Sequence, residues 1–68
     1  MAECFFVFDR NGRFSGVYKT PEAAITQARR LAKQTKDYAD VVKHHGGRRR
    51  FYASGAVRTI HKWKEVGA

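Results

Sequence analysis

The densest run of chemically capable side chains is His44-His45-Gly46-Gly47-Arg48-Arg49-Arg50-Phe51-Tyr52. Three consecutive guanidiniums are permanent cations, and their planar donor forks suit phosphates and carboxylates. Lys43 precedes the run, and Arg58, Lys62 and Trp63 follow within a few residues. Cations neutralise phosphates and release counterions, while aromatic rings stack on unpaired bases. These residue types fit a polyanion surface. Lys43, Arg48, Arg49, Arg50, Arg58 and Lys62 are the expected phosphate contacts, with Tyr52 and Trp63 as base contacts.

Other chemistries have less behind them. His44 and His45 are neighbours, so on a strand they face opposite ways and do not easily share one metal ion. They read as turn-flanking residues. Cys4 lies in the apolar run Cys4-Phe5-Phe6-Val7-Phe8 and reads as a small buried hydrophobe. No nucleophile stands beside a base, and Gly46-Gly47 leads into a basic strand and not into a phosphate-cradling helix. No catalytic residue, metal site or cofactor is expected, and the chain is not expected to be an enzyme. The plain alternative for the arginine triplet is a solvated arm whose charges protect an edge strand from aggregation.

Composition bounds these readings. With 68 residues the chain is expected to form one small domain, residues 1–68. A domain of that size buries only about 60% of its unfolded surface and is marginal without help. One cysteine excludes an internal disulfide, so stability falls to an apolar core and, on one reading, a second copy. The N-terminus lacks a signal-peptide pattern and no apolar run reaches membrane-spanning length. A cytoplasmic, non-membrane protein is the expectation. Fourteen Lys/Arg against six Asp/Glu give a formal net charge of +8. Residues 1–40 carry seven basic and five acidic side chains, and residues 41–64 carry seven basic and no acidic ones. Such an excess attracts polyanions and does not specify a fold.

The elements that must position these groups are legible. Glu3 to Phe8 is a strand with apolar residues on both sides of the pleat, which suits cover on both faces. Asn11-Gly12 is a hairpin signal, because both residues tolerate positive φ. Phe14 to Lys19 returns as a second strand, with Gly16 marking a bulge. Thr20-Pro21-Glu22 starts a helix: a hydroxyl cap, a proline in the first turn and an acid at the positive dipole end. The helix runs to Thr35 or Lys36. Ala24, Ile25, Ala28, Leu31 and Ala32 form its apolar stripe, and Arg29, Arg30, Lys33 and Lys36 form a solvated outer face. Ala39 to His45, Arg48 to Ala53 and Ala56 to Trp63 or Lys64 follow as strands divided by glycine turns. The predicted fold is α+β, order ββαβββ: an antiparallel sheet of about five strands with one helix packed on one face.

Alternation places Arg48, Arg50 and Tyr52 on the face away from the helix, and Arg49, Phe51 and Ala53 toward it. The fifth strand has two arrangements. One joins Arg58 and Lys62 to the open-face arginines; the other gathers Val57, His61 and Trp63 beside Tyr52. Because one helix covers one face only, the apolar residues Phe5 to Phe8 suggest a second cover, such as a homodimer partner.

The segment GVYKTPEAAITQARRLA resembles the hairpin-to-helix junction of plant AP2-type and phage integrase arm-binding domains. Three predicted strands after the helix depart from those folds, and no residue roles are carried over. The expectation is a small, non-enzymatic nucleic-acid-binding module of low sequence specificity, for DNA or RNA. The alternative is a protein-interaction module, such as a phage- or mobile-element-type inhibitor that docks on an acidic or nucleic-acid-bearing host complex.

Overall fold

The structure is a computed structural model that describes residues 4–44 and 46–63. Six elements follow one another: β1 (Phe5–Asp9), β2 (Phe14–Tyr18), α1 (Pro21–Thr35), β3 (Tyr38–Lys43), β4 (Arg48–Tyr52) and β5 (Val57–His61). All strand pairs are antiparallel, and the sheet order is β2-β1-β3-β4-β5. The α+β fold and the order ββαβββ are those the sequence predicts. The last three strands form the expected meander. α1 carries the chain from edge strand β2 back to β3, which places β1 between them.

Local chemistry sets the boundaries. Thr20 is extended, at φ −124° and ψ 149°, and its Oγ1 accepts from the Ala23 N–H at 3.3 Å. At the other end Lys36 adopts the left-handed conformation, φ 57°. Its N–H donates to the Lys33 carbonyl and that of Asp37 to the Ala32 carbonyl, satisfying two terminal acceptors. The first hairpin differs from a two-residue Asn-Gly turn. Only Gly12 takes positive φ, 81°, and Arg10-Asn11-Gly12 form a three-residue loop between Asp9 and Arg13. The Asp9 carboxylate fixes it by accepting from the N–H groups of Asn11 and Arg13. The β1–β2 register slips after Val7, so Val7 pairs with Gly16 and Phe8 with Phe14. This is the bulge that Gly16 signals.

All five strands are shorter than expected, and the expected ends at Glu3, His45 and Lys64 lie outside the described residues. β3 stops at Lys43, where its N–H meets the Gly47 carbonyl and the chain turns. β5 stops at His61, and Lys62 and Trp63 then cross close over Gly47.

The core lies between α1 and one face of the sheet. Phe5, Val7, Ala39, Val41 and Phe51 of the strands meet Ala24, Ala28 and Ala32 of the helix, all at most 2% exposed. The three alanines recur every fourth residue, so the helix presents a smooth strip and approaches the sheet closely. Tyr18, Ile25, Leu31 and Trp63 close the margins. α1 touches β1 to β4 but does not reach β5, which explains why most of β5 is exposed. Cys4 is half-buried beside the first strand and not fully enclosed as expected. No helix among the described residues is long and apolar enough to cross a membrane.

Gly47 is the tightest point. Its φ is 105°, and a Cβ there would lie 2.5 Å from Trp63 Cα and 2.8 Å from the Lys62 carbonyl oxygen. Gly12 has a similarly positive φ but open space around it. Gly47→Ala should therefore destabilise the protein by about 2–4 kcal/mol and Gly12→Ala by only about 1 kcal/mol, measured by urea unfolding. Equal effects would contradict the packing of residues 62 and 63 over this turn.

Candidate nucleic-acid interface

The face of the sheet opposite α1 carries Arg48, Arg50, Tyr52 and Arg58 of the expected site residues. β1 contributes Phe6 and Phe8, β3 contributes Tyr38, Asp40 and Val42, and β4 contributes Arg48, Arg50 and Tyr52. These assignments follow from alternation and from the registers Phe6↔Val42, Phe8↔Asp40, Asp40↔Arg50 and Tyr38↔Tyr52. Arg58 of β5 stands opposite Arg50. Phe14 and Val17 extend the face across β2, and both are more than half exposed.

Its centre is an acid. Asp40 is only 2% exposed, on the side of the sheet that the helix does not cover. Two arginines lie over it. Arg50 donates from Nε to Oδ1 at 2.8 Å and from Nη2 to Oδ2 at 3.1 Å, and Arg48 donates from Nη1 to Oδ2 at 2.7 Å. Charge-assisted bonds of this fork geometry are the strong class of protein hydrogen bonds. They offset the desolvation of a carboxylate that would otherwise be costly to bury. The Arg50 guanidinium also sits 4.0 Å from the Tyr38 ring centroid, and Tyr38 in turn packs 6.0 Å from Tyr52. Hydrogen bonding to Asp40 is the largest cause that pushes the Arg50 pKa above its ordinary value, against the opposing effect of burial. Arg50 is a fixed cation.

An aromatic group occupies the other half of the face. Phe14 lies 6.3 Å from Phe6 and 5.9 Å from Phe8, and His44 meets the Phe6 ring edge-on at 6.3 Å. The bulge makes this cluster, because it turns Phe14 to the side of Phe8.

The sequence-predicted site residues divide between the two faces. Arg48, Arg50, Tyr52 and Arg58 come together on the open face. Lys43 does not: it pairs with Phe5 on the helix side and is 6% exposed. Arg49 also points to the helix side, where its guanidinium covers Trp63 at 4.1 Å and its Nε is buried without a hydrogen-bond partner. Trp63 packs on the core ring of Phe5 at 5.2 Å and donates from Nε1 to the Val41 carbonyl at 3.4 Å. With Phe5 and Arg49 both against it, Trp63 is a packing residue and not a ready platform for a base. Lys62 is exposed just beyond β5. The fifth strand combines the two arrangements open to it. Arg58 joins the arginines, and a register shift then brings His61, with no partner for Ile60, opposite Arg48.

Asp40 is the residue that charge counting passes over. It closes the mixed-charge segment and stands one position before the acid-free one. Its signal is register: the antiparallel pairing that sets Val42 opposite Arg48 also sets residue 40 opposite residue 50. Among the described residues there is no cluster of three or more metal-ligating side chains and no enclosed pocket. Comparison with family models, curated proteins and solved structures found no match to this chain.

Removing the acid should cost stability, the more so because the net charge is already +8. Asp40→Asn is expected to lower unfolding free energy by about 1–3 kcal/mol, because it strands two half-buried guanidiniums. Arg58→Ala, on an exposed strand, should change it by less than about 0.5 kcal/mol. Urea midpoints of the two variants check this ordering.

Proposed function

We propose that the open sheet face binds single-stranded nucleic acid with low sequence specificity. One observation carries this reading. A sheet face without a covering layer among the described residues bears the half-buried and exposed rings of Phe6, Phe8, Phe14, Tyr38 and Tyr52 next to Arg48, Arg50 and Arg58. Extended strands offer unstacked bases and a flexible phosphate backbone, and such a face supplies partners for both. Duplex DNA fits less well, since its bases are already stacked and a broad sheet face does not enter a groove. Asp40 balances one of the three open-face arginines, so the local charge is lower than the arginine triplet suggests. Counterion release therefore supplies only part of the affinity, and ring stacking supplies the rest.

Titration of fluorescent single-stranded DNA and RNA over a range of salt tests the proposal. Affinity should fall with salt, and Arg58→Ala should reduce the logarithmic slope by about one phosphate contact. Phe14→Ala should weaken binding by about 1–3 kcal/mol with little change in slope, as expected for a stacking residue. Failure of both polymers to bind at low salt would sink the reading.

A protein partner is the second reading. It is favoured by Val17, which is 52% exposed beside Phe14 and extends the apolar margin on β2 with a side chain that cannot stack on a base. Recovery of a single stoichiometric protein after nuclease treatment, or a concentration-dependent dimer in sedimentation that Phe14→Ser abolishes, would favour it.

A further inference from the structure

We propose that Arg48, Arg50 and Arg58 form a preset site for a phosphate group, with Asp40 as the positioning residue that aims the first two. The inference deepens the nucleic-acid reading and rests on it for its biological ligand. Each guanidinium carries five N–H donors. Asp40 takes two from Arg50 and one from Arg48, and so occupies the inner edges of both. Their side chains remain partly exposed, 41% for Arg48 and 25% for Arg50, so an anion in solvent can approach both. Arg50 cannot swing away freely, because it is held on one side by two bonds and stacks 4.0 Å over Tyr38. A donor fork fixed in advance loses little rotamer freedom when an anion arrives.

Charge balance points the same way. Arg58 stands directly opposite Arg50 across β4 and β5, and like charges so placed destabilise a sheet. Asp40 offers one negative charge to three cations and has both oxygens engaged. A tetrahedral dianion or phosphodiester among the guanidiniums of Arg48, Arg50 and Arg58 would relieve that repulsion. The ligand class is the phosphate group, and free phosphate, a terminal phosphate and a backbone phosphodiester share its chemistry.

The roles of Asp40 and Arg48 separate positioning from simple attraction. By attraction alone, Asp40→Asn removes a negative charge from the face and strengthens anion binding, and Arg48→Lys leaves it unchanged. By positioning, both weaken it. The experiment follows the arginine side-chain Nε–H resonances of the full chain during titration with inorganic phosphate. In parallel, it measures affinity for a single-stranded oligonucleotide with and without a 5′ phosphate. Phosphate should move the resonances of Arg48, Arg50 and Arg58 but not those of Arg29 and Arg30 on the helix. Arg48→Lys, at unchanged net charge, should bind phosphate about tenfold more weakly, since a fork is replaced by a point charge. Asp40→Asn should also bind more weakly. A preference for the phosphorylated end assigns the site to a terminal phosphate, and equal binding assigns it to the backbone; both support the site. If Asp40→Asn does not fold, Arg48→Lys and Arg58→Gln decide the matter. Wild-type affinity for phosphate in Arg48→Lys, tighter binding in folded Asp40→Asn, or equal shifts at the helix arginines would overturn the proposal. If phosphate moves the three arginines while no oligonucleotide binds, the site stands and the nucleic-acid reading falls. If oligonucleotides bind while phosphate moves none of the three, the reading stands and the site falls.

Discussion

A single fifteen-residue helix can cover only one face of a five-stranded sheet, and most of this structure answers to that constraint. On the covered side the core is small, built from two phenylalanines, two valines and four alanines. The helix contributes only alanines to the buried set, so the layers come close but bury little area per residue. Apolar burial stabilises at roughly 25 cal/mol per Å², and a strip of methyl groups gives less of it than larger side chains would. Margins therefore matter. Trp63 crosses from beyond β5 to pack on Phe5, and Arg49 lies on its ring. These two residues act as part of the lid that the short helix does not provide.

The other face has no helix, and it is ordered by different means. Asp40 is buried there by cations and rings, not by a hydrophobic layer. Its carboxylate ties β3 to β4 through Arg48 and Arg50, and the Arg50 plane is set by Tyr38. Removing one partner of such a group costs more than the pair contributes as a whole, because the remaining charges are left half-desolvated. The arrangement thus fixes one register for the β3–β4 hairpin: a slip of β4 by one residue against β3 would send Arg48 and Arg50 to the helix side and leave Asp40 facing Arg49 alone. The arginine triplet is divided by the same rule. Arg48 and Arg50 hold the acid, and Arg49 closes the core.

Periodicity and turn chemistry made the elements legible. Thr20 and Pro21 marked the helix start, the alanine stripe marked its buried side, and Gly16 marked the bulge. Alternation separated Arg49 from its neighbours. Three properties were not legible because they depend on pairing between segments. Asp40 counted as an acid of the first forty residues, although its neighbours in space are Arg48 and Arg50. Lys43, one of the expected phosphate contacts, shares a face with Val41, and only the pairing with Phe5 shows that this face is the core. The position of β1 between β2 and β3 was likewise hidden, because apolar residues on both sides of a strand report on cover over its faces and not on its neighbours in the sheet. Linear charge density overstated the open face, since it could not subtract an acid lying across the hairpin.

The open face is divided laterally, and that division constrains any ligand. Its aromatic half lies on β2 and β1 and its cationic half on β4 and β5, with β3 between them. Two strand spacings, about 10 Å, separate β1 from β4. Tyr38 and Tyr52 stand toward the cationic half, so rings are present on both sides of the divide. A ligand that uses the whole face must offer flat apolar groups and anionic groups a short distance apart, and a flexible strand of nucleotides does so at every residue. A purely apolar protein partner would have to leave three arginines facing it or neutralise them with acids of its own. A purely ionic partner would leave Phe14 and Val17 in water. The combination of rings and preset guanidiniums therefore argues for a ligand of mixed character more strongly than the net charge of the chain does.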